Sequence, residues 1–542
     1  MSVSELEVPV LVVGGSLVGL TTSVLLAAQG VRHVLIERHR GTAIHPRAAS
    51  FHQRTMEIFR SVGLQQAVEV AAEREFVQNG AIVAVDALSG KELACFYRSF
   101  NEGVEGLSPT SRLFITQIGL EPVLRERARE LGAEHHYATE MTSFEQDDAG
   151  IVAVMRPRDG GSDRRVRARF MVAADGAHSF VRKQLGIGMG GRGSFADCVT
   201  IYFKADMREL IGKRNLSVVY VNQPGLLAFF RFSITGDAGF LAVFATFDQD
   251  GVRNSTLQDI SAARCAALVR AALGVPAGFP VQIDDVQPWS ATAATATAFR
   301  QGRVFLAGDA AHLMPPTGGF GGNTGVADAH NLAWKLAMVL GGTAGPGLLD
   351  SYEPERKPLC ELIVEQAYAR YVKRVDPTLP ATDLAPLLDD ASIELGSIYR
   401  SGAVMAEEGR SDRALLEDPH HPSGRPGTRV PHVMLRRGAA AVSTHDLPAG
   451  GFALVAGARG QRWTEGAAAA AATTKVPLQA YRVAPDGDLA DPDGGFERAV
   501  GMGAEGALLL RPDGVIGWRA AGFHPDPRAR LAEVVRRLTS RP

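Results

Sequence analysis

The run from Pro9 to Glu37 limits the fold of this chain more than any other stretch. An apolar segment predicting a strand over 9–13 meets Gly14-Gly15-Ser16-Leu17-Val18-Gly19, a helical segment follows over 20–28, and apolar residues over 31–37 predict a second strand. Strand, glycine turn, helix and strand make one βαβ unit of a parallel sheet. Gly14, Gly15 and Gly19 permit a tight turn with close helix packing, so the backbone of Ser16, Leu17 and Val18 at the helix start can meet a pyrophosphate. Ser16 stands where a further glycine would ease that approach, and a small residue still fits. Glu37 lies 18 residues after Gly19, where a carboxylate accepts both hydroxyls of an adenosine ribose and repels a 2′-phosphate. This favours FAD or NAD over NADP at the turn, with Arg38 beside it. Taken alone, the same pattern also suits an ordinary strand-to-helix connection.

A chain of 542 residues predicts two or three domains with apolar surface enough to enclose a large ligand. Lys+Arg 57 against Asp+Glu 59 leaves a net charge of -2 with no long block of one sign, which argues against nucleic-acid or membrane partners and for small molecules. Cys95, Cys198, Cys265 and Cys360 are scattered without a CxxC pair, which fits a reducing cytoplasm and excludes a Cys-based zinc site; no metal is expected. Glu5 and Glu7 stand where a secretion signal would be basic, and no apolar run reaches membrane-spanning length. A cytoplasmic protein is expected.

Two more apolar strands, over 170–174 and 304–307, run into Asp175-Gly176 and Gly308-Asp309, placing loop carboxylates at strand C-termini, where open α/β sheets collect ligands. Val326, Ala329, Leu332, Ala333, Leu336 and Leu340 recur at helical spacing, predicting a helix over 324–340 behind a glycine-rich loop. Between about 185 and 288 the pattern turns to short β-rich runs, such as 199–203 and 240–247, suggesting an inserted sheet that covers a substrate. The stretch 407–431 is dense in Pro, Gly and charge and predicts a domain boundary, with a third unit over the last 110 or so residues. The Ala467–Ala472 tract is low in complexity and carries no functional information.

Asp175-Gly176-Ala177-His178-Ser179 with Arg182, then Gly308-Asp309-Ala310-Ala311-His312 and Pro315-Pro316-Thr317-Gly318-Gly319-Phe320-Gly321-Gly322-Asn323, give the glycine turn its company. In this order the segments resemble the class A flavoprotein monooxygenases, the p-hydroxybenzoate and phenol hydroxylase superfamily, and within it the aromatic polyketide hydroxylases of anthracyclinone and angucyclinone type. The resemblance spans nearly the whole chain. It implies that Asp309 bonds the ribityl chain of FAD and that the amides of Gly322 and Asn323, in a loop shared with Gly319 and Gly321, face the flavin's pyrimidine end. Amides at a helix N-terminus stabilise the negative charge that reduction brings there. The resemblance also assigns Arg47, in His45-Pro46-Arg47-Ala48, to the cofactor's phosphates and mobile flavin, and Gln117 to the ribityl chain. A surface arginine, a loop histidine and a helix-capping glutamine are the alternatives. Asp175, Gly176 and Arg182 match a second nucleotide fingerprint serving flavin and nicotinamide; an Asp–Arg pair tying strand to helix is the structural alternative, and the two are compatible.

Only one dinucleotide turn is present, so NADPH or NADH must dock transiently. This separates the chain from two-Rossmann Baeyer–Villiger enzymes and from disulfide reductases, while Trp289, Trp334, Trp463 and Trp518 stand too far apart for a flavin halogenase pattern. The resemblance implies a monooxygenase that hydroxylates a phenolic polycyclic aromatic substrate with dioxygen through a flavin C4a-hydroperoxide. Such chemistry needs a dry apolar chamber, with Phe203, Phe229, Phe230, Phe244 and Pro316 as candidates for its wall; core packing is the commoner role for each phenylalanine. Tyr220 and Arg374 match positions that approach substrate in anthracyclinone hydroxylases, where a guanidinium can stabilise a phenolate. The alternative is a solvent-facing basic helix in which Lys373 and Arg374 are equivalent.

The C-terminal unit resembles the thioredoxin-like tail of phenol hydroxylases, but it holds no cysteine, leaving packing or an interface as its default role. The expected fold is therefore α/β: a Rossmann-like FAD-binding domain over 1–75, 106–184 and 289–400, an inserted β-sheet substrate domain over 76–105 and 185–288, and a thioredoxin-like C-terminal domain over 425–542. Baeyer–Villiger or quinone-remodelling oxygenation on the same cofactor, and a catalytically lapsed flavin-binding protein, are the other readings. Monomer and homodimer both remain open.

Overall fold

Val10, Leu11 and Val12 are fully buried, as in a parallel strand covered on both faces. The computed structural model describes residues 5–44, 49–247, 250, 253–256, 259–407 and 413–541. Strand Glu5–Val13 lies between the parallel strands Arg164–Ala173 and His33–Ile36. Val304–Leu306 pairs outside the former and Glu134–His136 outside the latter. A hairpin of Thr139–Gln146 and Ile151–Pro157 adds antiparallel to Arg164–Ala173. The registers Val13 with Ala173, Ala173 with Leu306 and Val13 with Ile36 end the central strands level. Residues 14–16, 37, 174–179 and 307–311 therefore emerge along one edge of the sheet, which brings distant loops to a single crease.

Element ends differ from the sequence expectation where glycine or a charged residue breaks the apolar pattern. The first helix is Leu17–Ala28, starting inside the glycine turn, and the second strand stops at Ile36, leaving Glu37 just beyond it. The long helix is Phe320–Leu340, four residues longer at its N-terminus than its apolar period indicates, because Phe320-Gly321-Gly322-Asn323 has no such period.

The inserted sheet has longer strands than its short apolar runs predict. Met189–Lys204 pairs with Gln282–Ala296 along their length, with register shifts at Gly191/Gly193 and Ser194/Ala196. Those shifts and the glycines hide the strand in the sequence. Gln282–Ala296 runs past residue 288, and its end pairs with His312–Leu313. On the other side follow Ala238–Phe247, Leu226–Phe232, Leu216–Gln223, Ala81–Val85 and Glu92–Tyr97.

Strand alternation sorts the aromatic candidates onto two faces. Phe203 and Phe230 pack with Val199, Ile201 and Val219 against Val269 and Leu273 of helix Ala262–Leu273. They have the core-packing role that is the commoner one for such phenylalanines, and are not wall candidates. Phe229 and Phe244 lie on the opposite face, with Tyr220, Trp289 and Tyr371. Tyr371 comes from helix Tyr352–Arg374.

The C-terminal unit is a four-stranded sheet, ordered Leu478–Arg482, Phe452–Ala456, Ala507–Leu510 and Ile516–Ala520, with helices Gln461–Thr474 and Pro527–Leu538. The alanine tract lies in the first of these helices and buries Ala467 and Ala470. Arg511 is wholly buried and docks the unit: Nη1 donates to Glu355 of the 352–374 helix at 2.6 Å. Trp334 Nε1 donates to Asp513 at 3.2 Å, and Arg429 pairs with Glu57. Among the described residues no helix is long and apolar enough to cross a membrane.

Candidate active site

The turn between the first strand and helix is built by close approach. Gly14 has φ +105°, and a side chain there would collide with the Ala174 carbonyl; a Cβ on Gly15 would lie 2.6 Å from the Glu37 Cβ. Gly19 has no room either, against the Gly14 carbonyl. Glu37 is 8% exposed. Its Oε2 accepts the Gly15 amide at 2.6 Å and its Oε1 the His39 amide at 2.8 Å. Arg38 is exposed. Arg47 and His45 lie outside the described residues.

A second carboxylate beneath this turn was not foreseen from the sequence. Glu121, on helix Gln117–Glu130, is fully buried and accepts from Ser16 Oγ at 2.6 Å, the Leu17 amide at 2.9 Å and the Ala43 amide at 2.7 Å. Burial pushes its carboxyl above the ordinary value against these donors. Gln117 Nε2 donates to both Glu121 Oε1 and Ser16 Oγ. The helix cap is Thr116, which accepts the Gly119 amide, so the capping alternative for Gln117 falls. A carboxylate four residues after Gln117 on one helix face was the available signal.

Beside Glu37, the Arg125 guanidinium stacks 4.3 Å from the Tyr137 ring centre. Tyr137 Oη and Arg125 Nε are buried and have no partner. Buried polar atoms are nearly always bonded, so these orphans next to a ribose-type carboxylate suit the adenosine diphosphate half of FAD.

The other two loops close the crease. Asp175 accepts Ser179 Oγ at 2.5 Å and the Val181 amide at 3.0 Å, and burial pushes its carboxyl up. Gly176 has positive φ. Arg182 donates to the carbonyls of Ala310 and Ala177, at 2.9 and 3.0 Å, tying this loop to the Gly308–Ala310 turn. Asp309 is exposed at that turn. The turn is anchored from below by Asp328, which accepts the Gly308 amide at 3.0 Å and pairs with His312 Nε2 and Arg356 Nε at 2.7 Å each. Burial opposes charge on His312, but Cys360 and Asp328 hold its pKa well above the ordinary imidazole value. His312, Asp328 and Cys360 offer ligand atoms within 4.8 Å of one another. This carboxylate is already paired with two cationic groups, the Arg356 guanidinium on Oδ1 and the His312 imidazole on Oδ2.

Gly319 caps the long helix at φ +69°, and a side chain there would strike Ser50 Oγ. The Asn323 side chain is spent on structure: Oδ1 accepts the His52 amide and Thr55 Oγ1, while Nδ2 donates to Ser50 O and Gly319 O. The first-turn amides of Gly321 and Gly322 have no partner within the helix, whereas the Asn323 amide makes the first bond of the ladder, to the Gly319 carbonyl. Pro316 is exposed in the preceding turn, its carbonyl accepting the Gly319 amide at 3.0 Å.

Tyr220 and Arg374 meet at Phe96. The Arg374 guanidinium lies 5.3 Å from the Phe96 ring centre, and Phe96 meets Tyr220 edge-on at 5.8 Å. The series continues through Phe229 to Phe244 and Tyr371. Lys373 is exposed whereas Arg374 is partly buried, so the two cations are not equivalent. Burial pushes the Tyr220 hydroxyl up in pKa, opposed by Arg374. Behind this corner, Asp390 and Glu394 share one face of helix Asp390–Leu395. Asp390 accepts Tyr97 Oη at 2.5 Å and Arg370 Nε at 3.0 Å; Glu394 Oε1 lies 2.8 Å from Arg112 Nε. Neither carboxylate stands in a motif, and both escaped the sequence reading.

Residues 7–367 match the FAD binding domain family and residues 423–542 the C-terminal domain of aromatic-ring hydroxylases. A 4-methyl-5-nitrocatechol 5-monooxygenase from Burkholderia sp is 48% identical, over 99% of this chain and 98% of that protein. An aklavinone 12-hydroxylase from Streptomyces purpurascens is 39% identical over 99% of both. The crystal structure of aklavinone-11 hydroxylase with FAD and aklavinone superimposes with a TM-score of 0.93 at 38% identity, covering 99% of this chain and 100% of that one.

Proposed function

This chain belongs to the FAD-binding aromatic-ring monooxygenases, and from that membership we propose that it hydroxylates a phenolic, polyketide-type polycyclic ring seated against Tyr220 and Arg374, with dioxygen and NADPH or NADH as co-substrates. The observation that carries this reading is the meeting of Tyr220 and Arg374 at Phe96, on the aromatic face of the sheet whose strand 282–296 pairs with 312–313, the residues leaving the Gly308–Ala310 turn. FAD, when bound, takes hydride from the nicotinamide and activates dioxygen.

The residues divide that work. Glu37 holds the ribose, with Arg125 and Tyr137 at the adenosine diphosphate half. Gln117 and Asp309 serve the ribityl chain, and the amides of Gly321 and Gly322 face the pyrimidine end, with Asn323 holding the turn in place. Asp175 and Gly176 shape the loop that Arg182 pins to the Gly308–Ala310 turn. A cation at Arg374 favours the ionised form of a nearby phenol, making the ring a better nucleophile. Phe229, Phe244 and Tyr371 exclude water around it. The flavin unit is taken as 1–75, 106–184 and 289–400, the substrate unit as 76–105 and 185–288, and the tail as 425–542.

The 48% identical relative favours a second substrate reading, a substituted catechol of one ring. Substrate-stimulated NAD(P)H oxidation with product mass, run on polycyclic phenols against nitrocatechols, distinguishes the two. Arg374→Leu is expected to bind FAD normally and to raise KM for the phenol about tenfold, on the scale of one lost charged contact. Retention of coupled hydroxylation with unchanged KM removes the role of Arg374. A chain that takes up no FAD overturns the reading altogether.

A further inference from the structure

One buried titratable group beside the 318–323 loop has no part in the reaction so far. The His52 amide donates to Asn323 Oδ1 at 3.0 Å, and its ring meets Phe320 edge-on at 5.6 Å. The Gly318 carbonyl also faces the imidazole. On the far side His52 Nδ1 lies 3.7 Å from Glu394 Oε1, the carboxylate paired with Arg112. Glu394 Oε2 is buried and has no partner. His52 and Glu394 both line a partly open cavity of about 60 Å³, along with Asn323, Thr324, Arg356 and Tyr399. A cavity of that size has room for a few waters, each needing roughly 10–15 Å³, and its polar lining offers them partners.

We propose that His52 is a redox-linked proton acceptor: when negative charge arrives at the pyrimidine end of the flavin, its imidazole takes up a proton through the cavity water, and it releases that proton on reoxidation. This rests on the reading that residues 319–323 cradle that end of the cofactor. An N–H bond forms on the imidazole, an O–H bond breaks in water, and the buffer supplies the replacement proton. No electron passes through the protein; the reductant is the nicotinamide, or dithionite in the test.

The surroundings suit such a switch. Burial holds the resting imidazole below its ordinary pKa, Arg112 adds to this, and Glu394 and Asp390 oppose it. The other cations lining the cavity are committed: Arg54 and Arg429 to Glu57, Arg356 to Asp328. His52 is thus neutral at rest near pH 7, among fixed charges. A unit negative charge within about 7 Å, at an effective dielectric near 20, favours protonation of a neighbour by roughly 50-fold.

The test is the midpoint potential of bound FAD in substrate-free holoenzyme, followed from about pH 6 to 9, where an imidazole titrates. In wild type the potential rises as pH falls, steeply between the oxidised-state and reduced-state values of the imidazole. His52→Gln is expected to lower the potential and to take up about one proton fewer per reduction in that window. Glu394→Gln keeps the extra proton but displaces the window to lower pH. His52→Asn serves as a second variant should the first not fold, and FAD affinity by fluorescence checks that each variant retains its cofactor. Identical slopes for wild type and a FAD-loaded His52 variant overturn this assignment alone. Wild-type protein that binds no FAD overturns the flavin site and this assignment with it.

Discussion

Among the described residues two strand–turn–helix–strand units share one shape, and one of the two suits a nucleotide. In the first, strand 5–13 turns through Gly14–Ser16 into helix 17–28 and returns as strand 33–36. In the tail, strand 452–456 turns through Gly457–Gly460 into helix 461–474 and returns as the parallel strand 478–482. The tail's turn is closed by its own chain: the Gly457 amide donates to Gly506 O at 3.0 Å, Ala458 to Glu497 Oε1 at 3.0 Å and Arg459 to Ala504 O at 2.7 Å. The second strand there ends in Arg482, whose guanidinium donates to Ala458 O. At the matching place the first unit has Glu37, with orphaned polar atoms alongside. The first turn also spends amides on the protein, Gly14 on Ile36 O, Gly15 on Glu37 and Leu17 on Glu121. What sets a nucleotide-binding βαβ unit apart is therefore the charge at its second strand end, with orphaned polar atoms alongside, rather than its shape.

The largest expected effect tests how the closed unit is joined to the open one. Arg511→Leu strips Glu355 and Asp513 of a buried partner and should cost about 3–5 kcal/mol, read as a drop in Tm. Acid probes the same contact. Burial opposes charge on Glu355, but Arg511 and Lys335 hold its carboxyl well below the usual carboxylate range. Its folded pKa being depressed, this stabilisation is present above about pH 4.5 and is lost as pH falls below that. In Arg511→Leu the acid-dependent part should shrink; an unchanged pH profile of Tm excludes Glu355 as its source.

Next comes an exchange of the two strand ends. Glu37→Arg gives the first unit the tail's charge and should weaken FAD binding by about 100-fold, the scale of one or two lost charge-assisted bonds. An unchanged dissociation constant breaks the comparison. Glu121→Gln, which sets an amide donor among the donors of Ser16, Leu17 and Ala43, should weaken FAD binding by about tenfold through the turn it supports. The smallest effect is the reverse exchange. Arg482→Glu should shift stability by less than about 1 kcal/mol, since its Asp486 partner is exposed. The protein should still bind a single FAD, because the exchange supplies only the charge. A second flavin per chain would show that charge alone decides.

The contrast also explains which parts were legible in the sequence. Glu37, Asp175, Asp309 and Gly319 sit in contiguous motifs next to predictable strands, so level strand ends suffice to bring them together. Glu121, His52, Asp390 and Glu394 come from segments with no motif, and their roles depend on which helix faces which loop. The two-face sorting of phenylalanines was available in principle: Phe229 and Phe230 are adjacent in one strand and cannot share a face. The length of strand 189–204 was not, because glycines and register shifts erase the alternation that would reveal it.

The long antiparallel pair of 189–204 and 282–296 has a mechanical consequence. Its far end is stitched to 312–313, the residues that leave the Gly308–Ala310 turn, while its length backs the wall that carries Phe244 and Trp289. Wall and turn thus form one girder, and bending either must strain the other. The corner at Asp390, by contrast, is held by side chains, Tyr97 Oη and Arg370 Nε both donating to its carboxylate, and yields more cheaply than a beam whose rungs are backbone bonds.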